Sequence, residues 1–504
     1  MEIQIIASNF SIILSFFLFI FMALKIWKRH SQNAVVPPGP FKFPIIGNLP
    51  QLFGAELHHR LTDLGKIYGP VMSIQQGQIP AIVISSAELV KEVLKNQSDV
   101  FAGRPIMQAQ QITLYNGLDI AFAPYGDHWR QMRKISALEF LSAKRVQSFR
   151  ALREEQVSKV MKLLHSKAGS PVSLTKTIID LTNSFMLLST FGENGNTKQD
   201  LLNILDRVKE ATSISVYADF FPSIKFIQYL TSGAMARLRK WHLEADRILE
   251  DIIDEHKAKK QNDDGKIDNL LDVLLDIQKK GDLQIPLSDD CLKANIVEIF
   301  GAGSDTTSRF VEWLMAELMR NPKAMRKLQE EVRRVFGEKG QVEESRLQDL
   351  KYMKLVVKET FRLHPLGAVF ARQCRERTKV DGFDVYPNTT VIINVHAIGR
   401  DPNLWTEPER FCPERFEDSE IDYKGAHMEL IPFGAGKRIC PGISFSIVFV
   451  ELLLANFVYH FDWKLPDEIT SETLDMTEVF RVALSKKEEL HLIPIPFSPL
   501  PKIN

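Results

Sequence analysis

The chain has 504 residues, enough to bury a large core, and 63 Lys plus Arg balance 63 Asp plus Glu. A net charge of zero gives the whole chain no electrostatic reason to bind nucleic acid. Four cysteines make no disulfide framework and suit a reducing compartment.

Ile5 to Leu24 are apolar except for Ser8, Asn9, Ser11 and Ser15. Twenty helical residues reach about 30 Å, the thickness of a bilayer core, so the stretch is expected to be a transmembrane anchor. Lys25, Lys28 and Arg29 follow it, whereas Glu2 precedes it, which by the positive-inside rule puts the body in the cytoplasm. A cleaved signal would carry its charges first and small residues afterwards, and this stretch shows neither. Pro37-Pro38-Gly39-Pro40 cannot continue a helix. The expected organisation is an anchor over 1–30, a proline-rich hinge over 31–40 and one catalytic body over 41–504.

The body opens with strand-like runs at Val71–Ile74 and Ala81–Ile84, split by Gly77 and Pro80, and these predict a hairpin. Helical spacing dominates from there: Ala87–Lys95, Ser142–Ser166, Leu201–Glu210, Gly233–Lys260 and Asn269–Lys280 all place apolar residues three and four apart. Strand signal returns at Asp384–Tyr386, Val391–Asn394 and Leu490–Ile495. The reading is a mainly α protein, in the α+β sense, with small sheets drawn from the two ends of the chain.

Trp129 and Arg133 share a helical face four residues apart. Leu287 to Asn321, closed by Pro322, predicts one long helix whose middle, Gly301-Ala302-Gly303-Ser304-Asp305-Thr306-Thr307, is a poor helix former. Either packing or chemistry can require that weakness. Asn295, Ile299, Ala302 and Thr306 fall on one face by the three-four rule. Glu359 and Arg362 stand three apart on another helix, a spacing that in exposed settings is worth only about 0.2–0.5 kcal/mol.

The last signal is Pro432-Phe433-Gly434-Ala435-Gly436-Lys437-Arg438-Ile439-Cys440-Pro441-Gly442, a glycine-rich basic turn feeding a helix. It presents a single sulfur. Lys437, Arg438 and the helix-start amides are expected to favour the thiolate. No paired short-spaced cysteine motif accompanies it, so Cys440 cannot belong to a structural zinc site of the zinc-finger kind. An axial thiolate on haem iron is the remaining common use.

Phe433, Gly436, Arg438, Cys440 and Gly442 together resemble the haem-binding loop of the cytochromes P-450. Other motifs agree in the family's order. Trp129 and Arg133 resemble its propionate-binding helix, Ala302 to Thr307 its oxygen-activating groove, and Glu359 and Arg362 its Glu-x-x-Arg pair. Pro413-Glu414-Arg415-Phe416 would supply the third member of that buried network through Arg415. The resemblance implies the cytochrome P-450 fold with haem b, an axial thiolate from Cys440, and proton handling by Asp305 and Thr306. Trp129, Arg133, Arg372, Phe433, Gly436 and Arg438 would hold the cofactor. Electrons would come from NADPH through a separate membrane-bound NADPH–cytochrome P-450 reductase, docked on a basic patch including Arg130, Lys134 and Lys437. Cytochrome b5 and membrane lipid are further candidate partners.

The hinge, Phe101-Ala102-Gly103-Arg104-Pro105 and the tail Tyr459 to Pro466 look like the plant microsomal group that oxidises terpenoids, alkaloids and phenolics, anchored in the endoplasmic reticulum. The implied reaction is insertion of one oxygen atom from O2 into a C–H bond of a hydrophobic specialised metabolite. A terpenoid comes first and an alkaloid or phenolic second. The expected substrate wall comprises Asn295, Ile299, Ala302, Val369, Phe370 and Phe480, with Asn295 and Glu298 able to orient a hydroxyl or amine. Leu366 to Ala371 departs from the plant pattern, which carries further prolines and one more residue, so unusual selectivity is expected. A haem-thiolate isomerase or dehydratase and a non-catalytic haem sensor are the rival readings.

Overall fold

The computed structural model describes residues 16, 35–53, 56–192, 199–205, 207, 218–260, 269–337, 341–480 and 483–497. Apart from Phe16, the expected anchor lies outside them, as do hinge residues 31–34.

The site is positioned by a mixed sheet, two of whose strands come from the start of the body and two from residues 369–394, and by a helical body. Helix α1 (Leu57–Tyr68) precedes strands β1 (Val71–Gln76) and β2 (Ile79–Ile84), which form the expected hairpin around Gly77 at φ +60°. After short helices at Ala87–Lys91 and Gln108–Thr113, the longer ones are α2 (Asp127–Ile135), α3 (Arg150–Ser166), α4 (Leu174–Phe191) and α5 (Lys225–Lys260). Strand β3 (Val172–Ser173) lies between α3 and α4. The expected single helix over Ser142–Ser166 is interrupted at Phe149, whose ψ of 5° leaves the helical range. Helix α5 starts well before Gly233, and its first turns carry Phe226, Tyr229 and Leu230 on one exposed face.

Helix α6 (Leu270–Lys280) is capped by Asn269 and helix α7 (Asp289–Arg320) by Ser288, whose hydroxyl accepts from the Cys291 amide at 3.2 Å. Asn321 and Pro322 end α7, and Pro322 opens α8 (Pro322–Phe336). Helix α9 (Lys351–Leu363) leads to strands β4 (Val369–Gln373), β5 (Thr378–Val380), β6 (Phe383–Val385) and β7 (Thr390–Asn394), then to a one-turn helix α10 (Val395–Ile398). Helix α11 (Ile443–His460) and strands β8 (Phe461–Lys464), β9 (Glu478–Phe480), β10 (Leu484–Lys486) and β11 (His491–Pro496) are the last elements among the described residues.

The main sheet has the order β1-β2-β7-β4, with β2 parallel to β7. Strands remote in sequence therefore share one sheet, and β8 and β11 likewise join β3. The segregation of strands by chain end does not carry over into space. Helix α11 is long and apolar enough to cross a membrane by length and composition, yet 72% of it is buried inside the protein. It is apolar all round because it is surrounded by core.

Helix α7 runs through the body against α4 and α11. Its weak middle is continuous helix, and Gly303 explains one part of the weakness. A Cβ there would stand 2.7 Å from Met186 Cε, so the glycine lets α4 and α7 approach. Gly301 has nothing within 4 Å of such a Cβ.

Candidate active site

The Phe433–Gly442 loop is folded by its glycines. Gly434 and Gly436 hold φ of +68° and +69°, and a Cβ on Gly436 would stand 1.9 Å from the Leu94 carbonyl oxygen. The Cys440 amide donates to Phe433 O at 3.0 Å, closing the turn. The loop forms one side of an open cavity whose empty space, counted out to its mouth, is about 1830 Å³. Cys440 is the one cysteine among the described residues on its wall, and no histidine lines it. Cys291 instead packs against Met132 and the Leu118 carbonyl, where burial pushes its thiol up to about 12.

Burial also raises the Cys440 thiol, opposed by the Gly442 amide and by Arg133. Lys437 does not help as expected, because the turn sends it outward to Asp99 and Tyr125. A coordinating metal supplies the missing positive charge and deprotonates a thiol outright.

Helix α2 places Trp129 and Arg133 on the cavity wall one turn apart. The Trp129 indole donates to Ile120 O at 2.9 Å, and its ring lies 4.5 Å below the Arg438 guanidinium. Arg438 donates to the carbonyls of Ala102 at 2.9 Å and Ala123 at 2.6 Å. Arg372 enters from β4 over the Phe370 ring at 4.6 Å. Arg104, in the Phe101–Pro105 stretch, donates to the carbonyls of Ala121 and Ala371, both at 2.9 Å. Burial and like-charge neighbours lower Arg438 to about 9, while burial lowers Arg104 to about 10. Among the described residues, none of Arg104, Arg133, Arg372 and Arg438 has a carboxylate hydrogen-bond partner. Buried cations satisfied only by carbonyls suit an anionic ligand. An apolar space, one sulfur and several unpaired arginines fit a haem and its two propionates.

Ile299, Ala302, Gly303 and Thr306 line the opposite wall from α7. The Thr306 hydroxyl bonds Ala302 O at 2.6 Å. Asp305 lies off the cavity wall, 4.0 Å from Arg309. Asn295 shares the helical face but not the cavity: the segment around Leu118 covers that turn, and its amide donates to Leu118 O at 3.0 Å and Cys291 O at 2.7 Å. It cannot orient a substrate there. Phe370 lines the cavity whereas Val369 does not, because alternate residues of β4 face opposite sides, and Val369 packs toward Leu61 and Leu64 of α1. Phe480 also lies off the wall, 6.0 Å from the His58 ring, while Ala483 reaches it. Leu366 and Gly367 line the cavity, so the segment with the unusual sequence does border it.

Spacing alone did not reveal how Glu298 is held. Its carboxylate accepts from the Ile120 amide at 3.0 Å, and burial, reinforced by Asp119, pushes it up to about 8. It is tied to the backbone rather than free to pair with an amine. Asp119, which accepts from the Phe122 amide at 2.6 Å, had no motif to mark it, and Arg104 stood within the Phe101–Pro105 stretch without a role.

Glu359 and Arg362 are fully buried, with Nε to Oε2 at 2.7 Å, and Arg415 reaches the same carboxylate at 3.0 Å. Arg362 also donates to Gly399 O and Pro408 O, both at 2.6 Å. The adjacent Phe361 stacks on Phe310 of α7 at 3.7 Å between centroids and meets Phe433 edge-on at 5.0 Å. The network thereby lies directly behind the cysteine loop. Of the basic patch, Arg130 pairs with Asp127 and Lys437 with Asp99, and Lys134 is exposed.

A single thiol facing a small-residue groove across an apolar, arginine-edged cavity defines a haem-thiolate protein. The sequence matches the family description "Cytochrome P450" over residues 37–493, and the chain belongs to that family. It is 57% identical over 500 residues to "Cytochrome P450 726A27" of Euphorbia lathyris, covering 99% of this chain and 100% of that one. It is 42% identical to "Premnaspirodiene oxygenase" of Hyoscyamus muticus, covering 97% of this chain and 99% of that one. Among solved structures, a zebra fish cytochrome P450 with progesterone superposes with a TM-score of 0.77 at 25% identity, covering 88% of this chain and all of that one. The protein is a haem-thiolate monooxygenase whose electrons come from a redox partner and whose substrate is hydrophobic.

Proposed function

We propose that this monooxygenase inserts one oxygen atom into a C–H bond of a terpenoid, and that Cys440 would hold its haem iron. The observation that carries the reading is the position of the Cys440 sulfur opposite Ala302 and Thr306 in a cavity with mostly apolar walls. Haem held there by Cys440 would supply oxygen activation.

Each residue has a separate task. Arg133, Arg372 and Arg438 bind the propionates, with Trp129 supporting Arg438 through its ring. Phe433 and Gly436 shape the loop that aims the sulfur. Glu359, Arg362 and Arg415 fix the backbone behind it and do no chemistry. Thr306 holds a proton on Oγ1 beside the groove left by Ala302 and Gly303, and Asp305 replenishes it from the solvent side. Ile299, Ala302 and Phe370 form the apolar substrate wall, while Asn295, Val369 and Phe480 act behind it. The premnaspirodiene oxygenase relative and the progesterone-bound structure support a terpenoid-like substrate.

Residues 1–30 anchor the protein in the endoplasmic reticulum, 31–40 form the hinge and 41–504 face the cytosol. Exposed Phe41, Phe43, Ile45 and Phe53, just beyond the hinge, support contact with lipid. NADPH–cytochrome P-450 reductase supplies electrons, and cytochrome b5 is a second donor. The test is incubation of the anchored protein with reductase and NADPH on terpenoid and alkaloid panels, read by mass. NADPH-dependent gain of one oxygen on a terpenoid is expected. Products from alkaloids alone, or turnover without NADPH, would refute the reading.

A further inference from the structure

Away from the haem cavity, three histidines and a glutamate converge where helix α1, the end of the main sheet and the C-terminal hairpin meet. His58 and His59 are adjacent on α1, His396 lies on α10 directly after β7, and Glu478 opens β9. One donor atom from each lies within 4.8 Å of all the others. Glu478 Oε2 is 2.9 Å from His58 Nε2 and 3.2 Å from His59 Nε2. The His396 ring centroid is 4.7 Å from that of His58 and 4.6 Å from that of His59.

Hydrogen bonding among these groups leaves nitrogens unsatisfied. His58 and His396 are 0% and 2% exposed, and neither His58 Nδ1 nor His396 Nε2 has a hydrogen-bond partner among the described residues. Proton bookkeeping sets the His396 tautomer. The Thr62 hydroxyl gives its one proton to His58 O at 2.8 Å and accepts from Asn394 Nδ2 at 3.1 Å. Toward His396 Nδ1, at 3.1 Å, it can therefore only accept. The neutral His396 ring carries its proton on Nδ1, and Nε2 is left as a bare, buried lone pair. Imidazoles that bind metals are held in this way, with the far nitrogen donating to an outer oxygen. Glu478 is oriented too. Its Oε1 is bonded by His364 Nδ1 at 3.0 Å, and His364 Nε2 reaches Glu317 at 2.7 Å while its ring stacks on Trp313 at 3.9 Å. That leaves Oε2 facing the three rings.

We propose that His58, His59, His396 and Glu478 form a site for one divalent metal ion of the zinc class, separate from the haem. Three imidazole nitrogens and one carboxylate oxygen suit zinc, whereas magnesium and calcium call for all-oxygen shells. Zinc–ligand bonds of about 2.0–2.1 Å place tetrahedral donors about 3.4 Å apart, so donors standing as far as 4.8 Å apart must close by about 1.4 Å. His59, whose side chain is 45% exposed, can make that movement and marks the entry path. Four protein donors leave no open position, so the ion is structural. It would fasten the hairpin β9–β10, whose neighbour Ala483 lines the haem cavity, to α1 and α10.

The test uses full-length holoenzyme in detergent, treated with chelator and dialysed against zinc alone, with zinc and haem iron counted by plasma mass spectrometry. The expected result is one zinc per haem. His59→Ala, a half-exposed change, should abolish it while the reduced carbon monoxide spectrum stays normal. Thr62→Val should weaken zinc binding about 10- to 100-fold by releasing His396. Far less than one zinc per haem in the unmodified protein, or stoichiometric zinc undiminished in His59→Ala, would overturn the site.

Discussion

Arg372 and Arg438 bring two buried positive charges to the same cavity, and each is bonded only to carbonyl groups among the described residues. Arg438 and Arg104 help burial to hold Arg372 well below the usual guanidinium range. A propionate held between them would offset this repulsion. Arg372→Leu should therefore raise the unfolding midpoint of haem-free protein while weakening haem retention. Loss of a hydrogen bond between charged groups costs about 1.5–3 kcal/mol, or roughly 10- to 150-fold in haem affinity. Competition with a haem scavenger measures it, and a variant that holds haem as tightly as the parent would contradict the assignment.

Glu359 is fully buried between Arg362 and Arg415. Removing it strands two cations in the core, so Glu359→Ala should cost about 3–5 kcal/mol. The expected observation is failed haem incorporation or a large fall in the unfolding midpoint. An unaltered midpoint would show that the network contributes little.

The motif residues were legible because each residue type encodes a local need. Gly436 needs its positive φ and lack of Cβ against Leu94, and the expected helix start at Asn269 is its cap. What spacing could not supply was the neighbour. The three-four rule put Asn295 on the correct face, but only the fold shows the Leu118 segment lying over it. Val369 and Phe370 differ by the parity of β4, which its pairing with β7 determines. Glu359 and Arg362 read equally well as a surface pair, and only their burial changes the energy. The His58 cluster joins positions remote in sequence, so no window along the chain contains it.

Glu298 gives a pH signature. Burial and Asp119 push its carboxyl from 4.5 up to about 8, so the folded state binds this proton more tightly than the unfolded chain does. That stabilisation is complete below about 4.5 and is lost as the pH rises through about 8. The unfolding midpoint should fall across this window, and Glu298→Gln should flatten the fall. A slope identical to that of the parent would exclude Glu298 as its source.

Thr306 places its hydroxyl on the cavity wall, 2.6 Å from Ala302 O. Thr306→Ala removes the proton held at Oγ1 without disturbing the apolar wall. NADPH oxidation should continue while product formed per NADPH falls severalfold. Unchanged coupling would assign the proton to another group.

We propose that Cys440 is the cysteine that ligates the iron. The most direct test is the spectrum of the reduced carbon monoxide complex of Cys440→Ser. The expected result is loss of the thiolate-type band, with Cys291→Ser retaining it; a thiolate-type band persisting in Cys440→Ser would contradict the account.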